Sequence, residues 1–175
     1  MTTEIAPALP DIISQGLAVI FCGINPGIRA ATTGHHFAGN GNRFWRALHL
    51  AGFTPELMRP EHHRDLLAHG YGLTTAVARA TARADALSSL ELRASTSTLR
   101  KKIEFYRPAY LAFLGKAAYA AIAGRREISW GRQEATFGGS KVWTLPNPSG
   151  LNRSFSLDDL AAAYRELLLA TRTAG

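Results

Sequence analysis

The segment LAVIFCGINPG, residues 17 to 27, decides the fold. Its first six residues form an uninterrupted apolar run, which is typical of a strand buried on both faces of a sheet. The run ends at Gly23, and a loop containing two glycines and a proline then encloses Asn25. Because ligands bind at the carboxyl ends of the strands in an open parallel sheet, the segment predicts an α/β fold with Asn25 at the binding edge.

Later apolar runs extend this pattern. AYLAFLG, at residues 109 to 115, and KVWTL, at residues 141 to 145, predict two more buried strands, and YGLTTAV, at residues 71 to 77, predicts a short strand or an extended link. Capping residues and apolar periodicity predict helices between them. Helices are expected before Gly16, at 42 to 51, from 54, at 60 to 69, at 88 to 106, at 116 to 123 and at 156 to 168.

Strands that alternate with helices imply parallel strands. The expected fold class is therefore α/β, a three-layer α/β/α sandwich with a central, mostly parallel sheet. The three clearest strands then end at one edge of the sheet, and this brings Asn25 close to Lys116 and Asn147.

Composition limits the kinds of partner and of cellular compartment that can be expected. The chain has 175 residues, and neither a membrane-length apolar run nor a signal-peptide pattern is evident, so we expect a soluble, intracellular protein. It would be cytoplasmic and nucleoid-associated in a prokaryote and nuclear otherwise. Lys and Arg number 20 against 13 Asp and Glu, which favours a polyanionic partner, although a solvated basic surface fits the net charge of +7 equally well.

No metal or cofactor is expected. A single cysteine rules out a zinc finger, an iron–sulfur cluster and an internal disulfide framework, and Cys22 lies in a buried run where a small apolar role is favoured. The histidine pairs 35–36 and 62–63 do not match a metal-ligand spacing, and neither GxGxxG nor GxxxxGK[ST] occurs.

Asn25 is the first candidate catalytic residue. Its side chain offers a carbonyl acceptor and an amide donor but no exchangeable proton, so it can orient a water molecule without deprotonating it. A reaction that uses it should have a dissociative transition state. The spacing alone leaves open that Asn25 only stabilises a turn.

A family resemblance favours the catalytic interpretation. GINPG, with GHHFAGNGNRFW at residues 34 to 45 and LPNPSGLNR at residues 145 to 153, resembles the mismatch-specific uracil DNA glycosylases and the related thymine DNA glycosylases. The similarity extends from about residue 17 to about residue 168 and implies one glycosylase domain over residues 1 to 175. Members hydrolyse the N-glycosidic bond of a deaminated or damaged pyrimidine flipped out of duplex DNA, leaving an abasic site.

The resemblance assigns roles by position. Asn25 would position the attacking water, and Phe37 would stack on the flipped base. The base pocket would also include Ile24, Gly27, Ala30 and Asn147. The intercalation loop would present Leu151 to the space that the base vacates, with Gly150, Asn152 and Arg153 near the opposite strand. Lys116 would contact phosphate, or form an imine with an abasic sugar, and we favour the phosphate role.

Departures from the family pattern refine the prediction. Classical uracil glycosylases carry an aspartate and a histidine where this chain has Asn25 and Asn147, so the chemistry should be slow and should favour G:U, whose mispaired base costs less to flip, over A:U. Small side chains at Ala30 and Ala31 would leave room near C5 of the pyrimidine, which suggests tolerance of thymine and other 5-substituted bases. Asp85 is a second, weaker candidate for assisting water attack, since a solvated loop aspartate is the more common case.

The sequence therefore predicts a monofunctional, monomeric DNA glycosylase that acts on double-stranded DNA and needs no cofactor. One alternative is a non-catalytic nucleic-acid-binding protein that recognises a flipped base in the same pocket. Another is a hydrolase of free nucleosides.

Overall fold

The structure, a computed structural model, describes residues 9 to 173. Its sheet has the strand order β2-β1-β3-β5-β4. The strands are β1 (Val19–Gly23), β2 (Tyr71–Thr75), β3 (Tyr110–Leu114), β4 (Gly131–Phe137) and β5 (Ser140–Leu145). β1 pairs in parallel with β2 and β3, and β3 pairs in parallel with β5, whereas β4 is antiparallel to β5 at the edge.

Six α-helices lie within the described residues. They are α1 (Ile28–Thr33), α2 (Phe44–Ala51), α3 (Ser89–Ala94), α4 (Thr96–Tyr106), α5 (Lys116–Ala123) and α6 (Leu157–Thr173). Two 3-10 helices span Pro60–His69 and Ala84–Ala86. No helix between residues 9 and 173 is long and apolar enough to cross a membrane.

Apolar side chains fill both faces of the sheet. On one face, Phe21 of β1 packs edge-on against Phe44 of α2, and Tyr164 of α6 lies beside both rings. On the other face, Ile20 and Leu111 belong to a second cluster that the helices α3, α4 and α5 cover. Alternate residues of each central strand therefore point to opposite cores, as an apolar run without alternation requires. This architecture confirms the predicted three-layer α/β fold.

Capping residues begin two helices as the sequence predicts. The Ser88 hydroxyl accepts the Glu91 N–H at 3.1 Å, and Ser156 and Asp159 exchange reciprocal hydrogen bonds at the start of α6. Ser95, however, separates α3 from α4, so the single helix expected at 88 to 106 is wrong in this respect.

Other local predictions are also wrong. Residues 9 to 16 contain no helix, because Ile12 and Leu73 of β2 exchange both backbone hydrogen bonds and hold this segment extended. No helix begins at Thr54, whose hydroxyl donates to the Glu56 carbonyl within a bend. The edge strand β4 was not expected, because GRQEATF is mostly polar and only Gln133 and Phe137 are buried.

Candidate active site

A cavity of about 660 Å³ opens at the carboxyl ends of β1, β3 and β5. Its walls are lined by residues 23–30, 36–39, 42, 75, 81, 83–85, 114–117, 147, 149, 151, 152, 154 and 155, together with Leu9 and Trp130. The strand ends converge at Gly115, whose φ of 109° favours glycine. A Cβ added there would lie 3.6 Å from both Ile24 Cδ1 and Asn147 Cβ. The predicted meeting of three polar clusters at one edge of the sheet is thus confirmed.

The side-chain amide of Asn25 is held in one orientation. Its Nδ2 donates to the Arg79 carbonyl at 2.7 Å and to Thr81 Oγ1 at 2.8 Å. The Thr81 hydroxyl donates in turn to the Arg83 carbonyl at 2.7 Å, so it must accept from Asn25. A carbonyl oxygen can only accept, which identifies the Asn25 atom facing Arg79 as nitrogen. Asn25 Oδ1 has no hydrogen-bond donor among residues 9 to 173 and remains available to a ligand.

The loop after β2 provides both acceptors for the Asn25 amide. Its backbone N–H groups at Ala76, Val77 and Thr81 donate to the carbonyls of residues 23, 24 and 26, so it runs alongside the Asn25 loop. The Arg79 guanidinium binds both carboxylate oxygens of Glu91, at 2.7 and 2.9 Å, at the start of α3. Sequence reasoning missed Thr81, because its segment is polar and aperiodic and its partner is 56 residues away.

Phe37 lies on the cavity wall in a strained backbone conformation. Its φ of 58° is unusual for a residue with a side chain, and such strain is concentrated at functional sites. One ring face stacks on Phe44, with 4.0 Å between ring centroids. This placement is compatible with the predicted stacking of a base on Phe37.

Two neutral histidines support the Phe37 loop. The backbone N–H of His36 donates to Nδ1 of His63 at 3.1 Å, and His36 Nε2 donates to the Pro10 carbonyl at 2.7 Å. Burial lowers the pKa of His36, and burial followed by electrostatic repulsion between the protonated forms of His63 and His36 lowers the pKa of His63 to about 4. The His36 carbonyl accepts the Trp45 indole N–H, which completes the support.

Asn147 is oriented in the opposite sense to Asn25. Its Oδ1 accepts the Ser149 backbone N–H at 2.9 Å, and its own carbonyl accepts Asn152 Nδ2 at 3.0 Å. Because a backbone N–H can only donate, the Asn147 oxygen is the atom that faces the turn at Ser149, and Nδ2 is the free group. Within the described residues, no acceptor contacts Asn147 Nδ2, which can therefore donate to a ligand in the cavity.

A cation and an aromatic ring lie at the cavity mouth. Lys116 Nζ is 4.4 Å from the centroid of Trp130, and Trp130 packs at right angles to Phe155. Trp130 is 42% exposed, so water reaches part of the ring. Trp130 was not predicted from the sequence, although an isolated tryptophan in a polar segment was an available signal.

The predicted intercalation loop lies beside the cavity. Leu151 is 62% exposed on the cavity rim, and Asn152 also lines the wall. Gly150 does not line the cavity; a Cβ there would lie 2.6 Å from the Gly41 carbonyl oxygen, so the two loops touch through backbone. Arg153 is exposed and lies outside the cavity wall.

The remaining candidates divide between the cavity and the core. Gly27, Ala30 and Asp85 line the cavity, but Ala31 is buried outside its wall, so only Ala30 can affect the space around a ligand. The exposed Asp85 carboxylate forms an ion pair with Arg83 at 3.1 Å. Burial raises the pKa of the Cys22 thiol to about 12, which fits the apolar role predicted for it. Among residues 9 to 173, no group of three or more His, Cys, Asp or Glu residues could hold a metal ion.

Two comparisons with known proteins bear on the family and the fold of this chain. The family model of the "Uracil DNA glycosylase superfamily" matches residues 10 to 168. A solution NMR structure from Methanosarcina acetivorans, of a "putative Uracil DNA glycosylase", is similar to this chain with a TM-score of 0.59 and 18% sequence identity. The alignment covers 93% of this chain and 98% of that chain, which shows that the fold is shared.

Proposed function

The chain belongs to the uracil DNA glycosylase superfamily, and we propose that it is a monofunctional DNA glycosylase acting on uracil opposite guanine in duplex DNA. The reaction is hydrolysis of the N-glycosidic bond, which releases the free base and leaves an abasic site for base excision repair. It requires neither a metal nor an organic cofactor.

The opposite orientation of two asparagine amides carries this proposal. Asn25 leaves its acceptor oxygen free, Asn147 leaves its donor nitrogen free, and both residues line the same cavity. Glycosidic hydrolysis needs both groups, because a water must be held for attack at the sugar carbon and negative charge develops on the departing base. Asparagines that only stabilised turns, or a site that only bound an anion, would not need a free acceptor and a free donor fixed in this way.

The proposed reaction proceeds by a dissociative path. Asn25 Oδ1 accepts a hydrogen bond from the attacking water and holds it below the sugar, while Asn147 Nδ2 donates to the departing pyrimidine. Phe37 supplies a π face for the flipped base, and the backbone at Ile24 and Gly27 borders its edge. Because Asn25 cannot remove a proton, the N-glycosidic bond must break ahead of water attack, and its electron pair leaves with the pyrimidine as an anion. The water that then adds to the sugar carbon releases its proton to solvent or to that anion, and the enzyme is slow.

Slow chemistry makes the flipping step important for selectivity. A uracil opposite guanine is mispaired and leaves the stack at lower cost than a uracil opposite adenine, so G:U is the preferred substrate. Ala30 is a small residue on the cavity wall, and we propose that it admits thymine and other 5-substituted pyrimidines, which should react more slowly. Asp85 reaches the same cavity and is retained as an auxiliary group with a minor effect.

Duplex DNA is the proposed partner of a monomeric protein. The net charge of +7 favours a polyanion, and Lys116 lies at the cavity mouth, where it would meet a backbone phosphate. Leu151 would fill the gap left by the flipped base, and Gly150, Asn152 and Arg153 would lie near the opposite strand.

Strand scission in alkali tests this function. A G:U duplex incubated with the protein and then heated in alkali should break at the uracil position, and Asn25→Ala should abolish the break while duplex binding persists. Duplex binding without scission would favour a non-catalytic binding protein. Hydrolysis of free deoxyuridine without salt-sensitive DNA affinity would favour a nucleoside hydrolase.

A further inference from the structure

We infer that Arg43 is a positioning residue that holds the loop at residues 146 to 155 ready to enter duplex DNA. The inference rests on the proposed function, because it assigns a step of base flipping to this loop. Sequence reasoning gave Arg43 no role, and it makes no ion pair with a carboxylate of the described residues.

The guanidinium of Arg43 gathers three backbone carbonyls of the loop. Its Nη2 donates to the carbonyls of Ser149 at 3.0 Å and Asn152 at 2.8 Å, and its Nη1 donates to that of Phe155 at 2.5 Å. The Arg43 backbone N–H adds a hydrogen bond to the Pro148 carbonyl at 3.0 Å. One residue therefore fixes the loop on both sides of Leu151.

Other contacts show that the loop is held as a unit. The buried Tyr164 hydroxyl donates to the Pro146 carbonyl at 3.3 Å, and the Ser149 hydroxyl accepts the Leu151 N–H at 3.2 Å. Gly150 packs so closely on Gly41 that a Cβ would overlap the Gly41 carbonyl oxygen. In spite of this ordering, the apolar Leu151 side chain remains 62% exposed on the cavity rim.

Stability alone does not account for this arrangement. A cation at the N-terminal end of α2 opposes the helix dipole, and Arg43 is the N-cap residue there. Its Nε is buried without a hydrogen-bond partner among the described residues, which is also unfavourable. Both unfavourable terms are offset if the loop already presents Leu151 in its DNA-bound position, because less conformational entropy is then lost on binding.

The role of Arg43 predicts a substrate-dependent loss. In Arg43→Met, the loop is no longer fixed, and we expect the single-turnover rate on a G:U duplex to fall at least about tenfold. The rate on single-stranded uracil should stay within about twofold of the wild type, because no base has to be flipped. Arg43→Lys should not restore the duplex rate, since an ammonium group lacks the fixed fork that spans several carbonyls. The matched control is Arg46→Met, an exposed arginine on the same helix.

Hydrogen exchange provides a readout that does not depend on catalysis. Backbone amides at residues 149 to 155 should exchange faster in Arg43→Met than in the wild type and in Arg46→Met. Gly150→Ala should accelerate the exchange of the same amides. It should also lower the ratio of the duplex rate to the single-stranded rate, because it separates the two loops independently of Arg43. Equal loss on duplex and single-stranded substrates, or unchanged loop exchange, would overturn the inference.

An inactive wild-type protein would contradict the proposed function but would not test whether Arg43 positions the loop at residues 146 to 155. In that case, affinity for a duplex with a stable abasic analogue opposite guanine is compared with affinity for an intact duplex. Arg43→Met should lose the preference for the duplex with the abasic analogue, whereas a preserved preference would overturn the inference.

Discussion

The amide nitrogen of Asn25 donates to the hydroxyl oxygen of Thr81 across 2.8 Å, and the Thr81 hydroxyl donates its own hydrogen bond to the Arg83 carbonyl. This relay fixes which end of the Asn25 amide can face a ligand. The residue that would hold water is thus oriented by a loop 56 positions away in the chain. In a site whose central residue cannot act as a base, such preorganisation must supply most of the rate acceleration.

Replacing the Thr81 hydroxyl should slow the chemical step. Thr81→Val leaves one Asn25 N–H unpaired and lets the amide rotate, and we expect the single-turnover rate on G:U to fall at least about tenfold, because a misplacement of about 1 Å can cost about 100-fold. Thr81→Ser keeps the hydroxyl and should restore most of the rate. Duplex affinity should be unchanged in both variants, and an affinity loss in proportion to the rate would assign Thr81 to binding instead.

Removing the Asn147 amide should affect poor leaving groups most. Asn147→Ala withdraws the donor proposed for the departing base, so the rate on uracil should fall by about 100-fold or more, as for loss of one oxyanion donor. The loss should be smaller on 5-fluorouracil, whose anion is more stable and needs less help. Single-turnover rates of the wild type and Asn147→Ala on both bases measure this, and equal losses on the two bases would rule out leaving-group stabilisation by Asn147.

Substitution of Asp85 should have a small effect. The carboxylate lines the cavity but is exposed and paired with Arg83, a setting that does not favour proton abstraction. We expect Asp85→Asn to reduce turnover on G:U by less than the roughly 100-fold typical of a lost general base. Turnover that matches the wild type would remove Asp85 from the site.

The His63 environment should make stability pH-dependent. The pKa of His63 is about 4 in the folded protein against an ordinary 6.5, so the unfolded chain binds a proton that the folded protein does not. The free energy of unfolding should therefore decrease as the pH falls from about 6.5 to about 4, and His63 should contribute no pH dependence above this window. Protonation of His63 at Nδ1 would also break its hydrogen bond from the His36 backbone.

Urea unfolding at several pH values measures the His63 contribution. His63→Asn should flatten the slope between pH 6.5 and 4, because the asparagine oxygen can accept the same hydrogen bond without titrating. His62→Asn, an exposed neighbour, is the matched control and should keep the wild-type slope. A wild-type slope in His63→Asn would show that another group controls the acid response.

Much of the fold could be predicted from local pattern. The apolar run before Gly23 and the two later runs indicated three parallel strands, and capping residues indicated the start of α6. The edge strand β4 could not be predicted, because its polar residues face water and its pairing with β5 is a tertiary choice. The helix expected before Gly16 is absent from residues 9 to 16 for a similar reason, since backbone pairing with β2 overrides local propensity there.

The candidate site shows the same division. Asn25 and Asn147 were identifiable because glycines and prolines surround them at strand ends. The orientation of their amides was not, because it depends on Thr81 and on the geometry of the turn at Ser149. The contacts of Arg43 join residues 106 to 112 positions apart, and no periodicity in the sequence records them.

Release of free uracil from a G:U duplex tests the central claim most directly. Under single-turnover conditions, the wild-type protein should release uracil as the free base, and Asn25→Ala should lose nearly all of this activity while it still binds the duplex. Asn40→Ala, an exposed asparagine outside the cavity wall, is the matched control and should keep the wild-type rate. Failure of the wild type to release uracil, or an Asn25→Ala rate equal to that of Asn40→Ala, would contradict the account.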